Sequence, residues 1–348
     1  MRRVILIAIL FGLAIPQSAQ EVTLPQKPGS VRFAAIGDMG TGGRLQYEMA
    51  QQMAAQRQRF PFDLVLTLGD NLYGGKSPKD FEKKFSIPYK PLLDAGVKFH
   101  AALGNHDTPD QRLYKPFNMN GQRFYTFKVA SVRFFALDSN YMDPAQLQWL
   151  EKELKASGSD WKIAYFHHPL YSSGRAHGSS TELRRLLEPL FVKYGVQVVL
   201  SGHDHVYERV KPQNGIYYFV AGSGGKLRRG NLRNSDIKAA GFDQDCAFLV
   251  MEIAGDQLFF QAVSRTGAIV DSGVITRNTA EAKANLTSRR EPWPVGHVPT
   301  PARALAQWTI ARAPHSIAES QAAGVAPVPG SARIELGSPR GLARIHLL

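Results

Sequence analysis

Five short polar clusters carry side chains that could bind metal ions. They are Gly37-Asp38-Met39-Gly40, Gly69-Asp70-Asn71-Leu72-Tyr73, Gly104-Asn105-His106-Asp107, His167-His168-Pro169 and Gly202-His203-Asp204-His205. They offer carboxylate, amide, phenol and imidazole groups but no thiolate, and this donor set suits Fe, Mn or Zn. Because the clusters supply more ligands than one ion needs, we expect two ions, bridged by a carboxylate such as Asp70.

Each cluster is weak evidence when taken alone. Gly-Asp after a strand is usually only a turn, and Asn105 could be a capping residue. His203 and His205 are more informative, because alternate side chains of an extended segment point the same way. The order and number of the clusters favour one shared site, and a pair of metal ions is a known arrangement for hydrolysing phosphate esters.

The elements that would position these clusters are apolar runs that end where the clusters begin. The runs are Val31–Ile36, Leu64–Leu68, Phe99–Leu103, Ile163–Phe166 and Val196–Leu200. Continuous apolar runs of this length are typical of strands that are buried on both faces. Since ligands bind at the carboxyl ends of such strands in open α/β sheets, the five clusters should converge on one crevice.

Other segments complete a layered domain over residues 27–277. Helices are predicted where Leu45, Met49 and Met53 recur, after the Asp143-Pro144 cap, and over Ser180–Lys193. A hairpin is predicted over 124–138, and a meander from the runs Ile216–Ala221, Ala247–Ile253, Gln257–Ser264 and Ile269–Ile275. Mixed strands with flanking helices predict two packed β-sheets covered by helices.

The two ends of the chain have different compositions. Residues 1–20 contain Arg2, Arg3 and then an apolar run from Val4 to Ile15, which predicts a secretory signal peptide and a secreted or periplasmic protein. The alternative is an uncleaved N-terminal anchor. Residues 278–348 are rich in Ala, Pro and Arg and predict a partly disordered tail, which could dock the enzyme to a cell surface or partner.

Charge and cysteine usage limit the function classes. The formal net charge is +13, which would attract anions such as phosphorylated substrates. The basic residues are scattered except near Lys226 to Arg229, and no nucleic-acid module is evident, so no specific nucleic-acid partner is expected. Cys246 is the only cysteine, which excludes an intramolecular disulfide, and its apolar neighbours predict a buried side chain. No membrane span is expected after signal cleavage.

The five clusters, in this order, resemble the metallophosphoesterase (calcineurin-like) superfamily. Tyr73, three residues after Asp70, is similar to the tyrosine of the purple acid phosphatases, which binds a ferric ion and gives those enzymes their colour. The resemblance is good from Arg32 to Arg209 and implies an α/β (α+β type) four-layer αββα sandwich. The chain resembles the small single-domain form of these enzymes, although Met39 stands where the family often has an aromatic residue.

The resemblance also implies roles for individual residues. Ligands of Fe(III) would be Asp38, Asp70, Tyr73 and His205. Ligands of the second, divalent ion (Fe, Zn or Mn) would be Asp70, Asn105, His167 and His203. His106 would face the substrate and protonate the leaving group, and His177 would contact the substrate. Asp107 would orient a neighbouring histidine, whereas His168 is expected to pack behind the ligands.

The function expected from the resemblance is hydrolysis of small phosphomonoesters by in-line attack of metal-bound hydroxide, with His106 as general acid. One alternative is a phosphodiesterase or nucleotidase with the same metals and a different pocket. A second is an exported protein that binds metal or phosphate without turnover, and the intact His106 argues against it. Tyr73 could also be a packing residue between two divalent sites. The sequence leaves the oligomeric state open.

Overall fold

Thirteen strands form two mixed β-sheets in the computed structural model, which describes residues 23–75 and 77–277. The first sheet has six strands in the order β13-β12-β11-β1-β2-β3. They are β1 (Val31–Ile36), β2 (Leu64–Leu68), β3 (Lys98–Ala102), β11 (Ala247–Ala254), β12 (Gln257–Ser264) and β13 (Ile269–Thr276). The first three are parallel, and the last three are antiparallel to their neighbours.

The second sheet has seven strands in the order β10-β8-β9-β7-β6-β5-β4. They are β4 (Tyr125–Val129), β5 (Val132–Ala136), β6 (Trp161–Tyr165), β7 (Val198–Ser201), β8 (Tyr207–Val210), β9 (Tyr217–Ala221) and β10 (Lys238–Phe242). Strands β5, β6, β7 and β9 are parallel. Each sheet therefore has a parallel half whose strand ends can present loops.

Helices flank both sheets. They are α1 (Arg44–Arg59), α2 (Pro78–Phe81), α3 (Lys90–Asp94), α4 (Pro144–Ala156) and α5 (Thr181–Tyr194). A π-helical turn covers Glu82–Ser86, and two short 3₁₀ turns cover Pro109–Leu113 and Lys115–Phe117. Among the described residues, no helix has the length and apolar character needed to span a membrane.

Side-chain alternation along the strands separates the interior into layers. In β2, Leu64, Leu66 and Leu68 enter the core between the two sheets. Val65 points the other way, into the core that β2 shares with α1. A third core lies on the outer face of the second sheet, against α4 and α5. Because both faces of these strands are covered, apolar side chains are favoured at every position along them. The arrangement is the expected four-layer αββα sandwich.

Most of the predicted elements are confirmed. The first two strand predictions match to the residue, the predicted helices are α1, α4 and α5, and Asp143 caps α4 by accepting from the Gln146 amide at 2.8 Å. Cys246 is buried. The meander prediction is wrong for Ile216–Ala221, because β9 joins the second sheet beside β7. Strands β8 and β10 are additions, and the predicted signal peptide and tail lie outside the described residues.

His100 in β3 gives the fold a pH-dependent stability. Its ring stacks on Phe127 with centroids 3.9 Å apart, and burial, followed by the charge of Lys98, lowers the His100 pKa to about 4. Histidine in the unfolded chain binds a proton near pH 6.5, whereas folded His100 stays neutral down to about pH 4. The contribution of neutral His100 to the free energy of unfolding is therefore complete above pH 6.5 and is lost as the pH falls towards 4. We expect this loss to reach about 3 kcal/mol in the free energy of unfolding.

His100→Phe should remove that loss, because phenylalanine keeps the stack and cannot be protonated. The measurement is urea unfolding of both proteins at pH 7.5 and pH 4.5. On going from pH 7.5 to pH 4.5, the free energy of unfolding of the variant should fall by roughly 2 to 3 kcal/mol less than that of the wild type. An unchanged difference between the proteins would show that His100 is not the titrating group.

Candidate metal centre

Three candidate ligands adopt left-handed backbone conformations where strands end. Asp38 follows β1 with φ 55°, Asp70 follows β2 with φ 52°, and His203 follows β7 with φ 71°. Non-glycine residues rarely adopt this conformation, and it clusters at functional sites. In this fold it turns the chain at the sheet edge so that side chains from both sheets meet.

The first group of donor atoms comes from Asp38, Tyr73 and His205. The Tyr73 hydroxyl donates to Asp38 Oδ1 at 2.9 Å and lies 3.3 Å from His205 Nε2. His205 Nε2 is itself 3.3 Å from Asp38 Oδ1. Asp38 Oδ2 accepts from the His203 amide at 2.8 Å, which fixes the carboxylate. Three of the four residues assigned to the ferric ion therefore converge.

The second group comes from Asp70, Asn105, His167 and His203. His167 Nε2 lies 2.9 Å from Asn105 Oδ1, 3.1 Å from His203 Nδ1 and 3.5 Å from Asp70 Oδ1. Ligand atoms of Asp38, Asp70 and His167 all lie within 4.8 Å of one another, so the two groups adjoin. Asp70 therefore lies where the two groups meet.

The orientation of the His167 ring suits a ligand. Its Nδ1 lies 2.9 Å from the Leu68 carbonyl oxygen, which can only accept a hydrogen bond. The proton is therefore on Nδ1, and the Nε2 lone pair faces Asn105, Asp70 and His203. This side chain is fully buried, in the manner of a histidine whose second nitrogen fixes the ring for metal binding.

Burial shifts the pKa values of four groups at this centre towards their neutral forms, whereas the pKa of Asp70 is lowered and its carboxylate stays charged. Burial raises the pKa of Asp38 well above its ordinary value, and the nearby charge of Asp70 adds to the shift. Burial, then the charge of Asp38, raises the pKa of Tyr73 far above the usual range. Burial lowers the pKa of His203, and burial with Arg228 lowers that of His205 to about 4. Neutral imidazoles facing crowded carboxylates fit a site built for cations.

The two predicted substrate-facing histidines are exposed beside these groups. The His106 amide donates to Asp70 Oδ1 at 3.0 Å, and its ring lies 4.9 Å from the Tyr73 ring. The His177 ring lies 4.0 Å from the His203 ring, between centroids. One histidine therefore stands next to each donor group, on the solvent side.

Asp107 has different partners from those expected. Its carboxylate accepts from the amides of Asn71, Leu72 and Gly104 at 2.8 to 3.0 Å, and from the Asn71 side chain at 2.9 Å. These bonds tie the loop after β2 to the loop after β3. We therefore assign Asp107 to positioning the backbone of both loops, and not to orienting a histidine ring.

His168 lies behind the ligands, in contact with them. Its Nδ1 is 2.9 Å from Ser139 Oγ, and its ring centroid is 4.5 Å from that of His203. His168 also forms, with His167 and His203, a group of nitrogen atoms close enough to hold one ion. We assign the ligand role to His167, because its buried Nε2 also faces Asn105. The sequence motif favours the same residue.

Asp204 and Lys84 support the site, and sequence reasoning gave neither a role. Asp204 is fully buried and accepts from Ser172 Oγ at 2.6 Å and from the amides of His177 and Gly178 at 3.3 and 3.0 Å. It therefore holds the loop that carries His177. Lys84 Nζ donates to the Tyr73 carbonyl at 2.7 Å. The position of Asp204 between two candidate ligands was its only signal, and Lys84 had none.

Comparison with known proteins agrees with this geometry. The family model of the calcineurin-like phosphoesterases matches residues 31–207, which include all five clusters. Tartrate-resistant acid phosphatase type 5 of Mus musculus is 26% identical over 298 residues, covering 68% of this chain and 91% of that protein. Purple acid phosphatase 7 of Arabidopsis thaliana is 26% identical over 291 residues, covering 72% and 88% respectively.

Solved structures share the fold. Purple acid phosphatase PPD1 from yellow lupin (Lupinus luteus) superposes with a TM-score of 0.63 at 20% identity, covering 75% of this chain and 56% of that one. GAP50, described as the anchor in the inner membrane complex of Plasmodium, gives a TM-score of 0.61 at 19% identity, covering 75% and 95%. The protein is thus a phosphate-ester hydrolase by family, similar to purple acid phosphatases, and it belongs to the calcineurin-like phosphoesterases.

Proposed function

We propose that this protein is an acid phosphatase: it hydrolyses a phosphomonoester with one water molecule to an alcohol and inorganic phosphate. The observation that carries the proposal is the adjacency of two donor groups around Asp70, with His106 and His177 exposed beside them. The proposed cofactors are Fe(III) and a divalent ion, which is Fe, Zn or Mn. Bound there, two ions would neutralise phosphoryl charge and lower the pKa of a bound water.

Tyr73 supports the assignment of a ferric ion. Its hydroxyl lies among Asp38, Asp70 and His205, in surroundings that raise its pKa far above the usual range. A phenol in such a place ionises only beside a strong positive charge, and a trivalent ion provides more of it than a divalent one. We therefore assign Asp38, Asp70, Tyr73 and His205 to Fe(III). The divalent ion is assigned to Asp70, Asn105, His167 and His203.

His106 is the proposed general acid. Its exposed ring can reach the oxygen of the departing alcohol, and protonation of that oxygen completes cleavage of the P–O bond. Burial is the first cause that lowers its pKa, while the charge of Asp70 opposes the shift. Because the protonated form then accumulates only on the acidic side of neutrality, we expect an acidic pH optimum. His177 is proposed to donate to a phosphoryl oxygen.

The direct test compares p-nitrophenyl phosphate with bis(p-nitrophenyl) phosphate from pH 4 to pH 9, using protein loaded with iron and with zinc. We expect faster release of p-nitrophenol from the monoester, with an acidic optimum. A preference for the diester would assign the site to the phosphodiesterase or nucleotidase alternative. Bound metal without turnover on either ester would favour a binding protein.

The proposed location is the outside of the cell or the periplasm. It rests on the sequence of residues 1–20 alone, and the positive charge of the chain suits anionic substrates there. Cell fractionation with and without those residues would test it. Cytoplasmic retention of the full chain would contradict it.

A further inference from the structure

A glycine turn after β9 carries two cations to the edge of the metal centre. Gly224 donates its amide to the Gly37 carbonyl at 2.9 Å, and a Cβ at Gly225 would lie 2.4 Å from the Met39 carbonyl oxygen. This turn therefore packs directly on the loop of Asp38. Lys226 and Arg228 follow it immediately.

Lys226 stands on the side of the centre where His106 lies. Its ammonium nitrogen is 3.7 Å from the centroid of the Tyr73 ring, a cation–π contact that fixes the otherwise flexible side chain. The Tyr73 ring is also the neighbour of the His106 ring, at 4.9 Å. Burial is the first cause that lowers the pKa values of His106 and His205, and the lysine charge adds to both shifts.

Arg228 lies on the side of the metal centre where His177 lies. Its amide donates to the His205 carbonyl at 3.1 Å, and its guanidinium is exposed. Burial is the first cause that lowers the pKa values of His177 and His205, and the Arg228 charge adds to both shifts. The chain then continues to Asn231, whose carbonyl accepts from the amide of Arg175 in the His177 loop at 2.9 Å. The segment from Lys226 to Asn231 therefore runs along the centre from the His106 side to the His177 side.

Among the described residues, no carboxylate lies within ion-pair distance of Lys226 or Arg228. An ordered ammonium and an exposed guanidinium beside a phosphoester site are available to an anionic ligand. Since His106 is proposed to protonate the leaving alcohol, a cation beside His106 would face that alcohol and not the phosphoryl group being transferred.

We propose that Lys226 and Arg228 form a subsite for a second anionic group, carried by the alcohol part of the substrate. Resting on the proposed phosphatase function, this inference narrows the substrate class to phosphomonoesters whose alcohol bears a carboxylate or a further phosphate. Lys226 would bind that group near the leaving oxygen. Arg228 would attract it at the rim.

The test uses two substrates that differ in one charge, glycerol 3-phosphate and 3-phosphoglycerate, and the metal-loaded protein. The wild type should have the lower KM for 3-phosphoglycerate, and the preference should shrink as salt is raised. In the double variant Lys226→Met with Arg228→Met, KM for 3-phosphoglycerate should rise about tenfold, while glycerol 3-phosphate changes less than about threefold, since each exposed ion pair is modest. Lys226→Arg with Arg228→Lys should keep the preference.

The matched control is Lys211→Met with Arg229→Met, which removes the same charge from the opposite end of β8 and from the same loop. It should leave the substrate ratio within about twofold. Equal losses on both substrates in the Lys226 and Arg228 variant would overturn the inference, because the cations would then act on the metal centre. A wild-type ratio near unity would overturn it as well.

Equilibrium binding separates this inference from the proposed function. Calorimetry with phosphonoacetate and methylphosphonate, neither of which is a phosphate ester, reports the second charge without turnover. Tighter binding of phosphonoacetate, lost in the double variant only, would support the subsite even if no phosphomonoester were hydrolysed. Equal affinities for the two phosphonates would refute it, even in an active phosphatase.

Discussion

Asp70→Asn should abolish hydrolysis and strip the centre of metal, with a fall in kcat/KM of at least about a thousandfold. The asparagine keeps the shape of the side chain and can still accept from the His106 amide, now 3.0 Å from Asp70 Oδ1. A neutral amide, however, cannot bridge two cations, and such a metal pair supplies several kcal/mol of transition-state stabilisation. Activity and metal content should therefore be lost together.

The same substitution should also destabilise the metal-free protein. Burial acts to raise the pKa of Asp70, but its partners, the His106 amide and the Tyr73 hydroxyl among them, hold that pKa below its ordinary value. The ionised carboxylate therefore contributes to stability at neutral pH, and metal-free Asp70→Asn should melt below the wild type by roughly 2 to 4 °C per kcal/mol lost. Added metal should raise the melting temperature of the wild type and not that of the variant.

Elemental analysis, steady-state rates and thermal melts with and without metal measure these outcomes. Asp94→Asn is the control, because Asp94 is an exposed carboxylate whose one ion-pair partner among residues 23–75 and 77–277 is Lys90 on α3. It should leave activity and melting nearly unchanged. If Asp70→Asn kept its full metal content and rate, the proposed bridge would be wrong.

Gly104→Ala should reduce activity at least about a hundredfold although it removes no ligand. A Cβ at Gly104 would lie 2.2 Å from both the amide nitrogen and Oδ1 of Asp70, a distance that real Cβ atoms essentially never show. The loop after β3 must therefore move away from Asp70. Displacements of about 1 Å at a catalytic centre can cost a hundredfold in rate.

Gly104→Ala should also lower the free energy of unfolding by about 1 to 3 kcal/mol, as overpacking does. Gly43→Ala is the matched control, because its nearest atom would be 3.5 Å away and its backbone is extended. That variant should keep its activity and lose at most about 1 kcal/mol. Rates and urea unfolding of both proteins decide the matter, and a fully active Gly104→Ala would refute the close packing described here.

Sequence patterns predicted the convergence of the clusters because the physics of parallel strands is local and strong. An apolar run such as Leu64–Leu68 requires cover on both faces, and its carboxyl end then meets that of its neighbour at the sheet edge. The same patterns do not show which neighbour a strand pairs with. Ile216–Ala221 reads like the later meander strands, yet β9 pairs with β7 because the chain crosses between sheets.

The sequence did not predict the contacts between loops. Asp107 lies next to His106, which suggested an imidazole partner, but its bonds join two loops that only the folded chain brings together. Lys226 lies more than a hundred residues after Tyr73 and meets it through the glycine turn. Composition indicated a basic segment near residue 226 without indicating what it would face.

The left-handed conformation of Asp38, Asp70 and His203 has an evolutionary consequence. Each position costs the fold roughly 1 kcal/mol or more, and glycine would relieve that cost while destroying the site. Selection for catalysis therefore holds these positions against selection for stability. A descendant of this chain released from its enzymatic role would be expected to drift towards glycine there and to become more stable as it lost its activity.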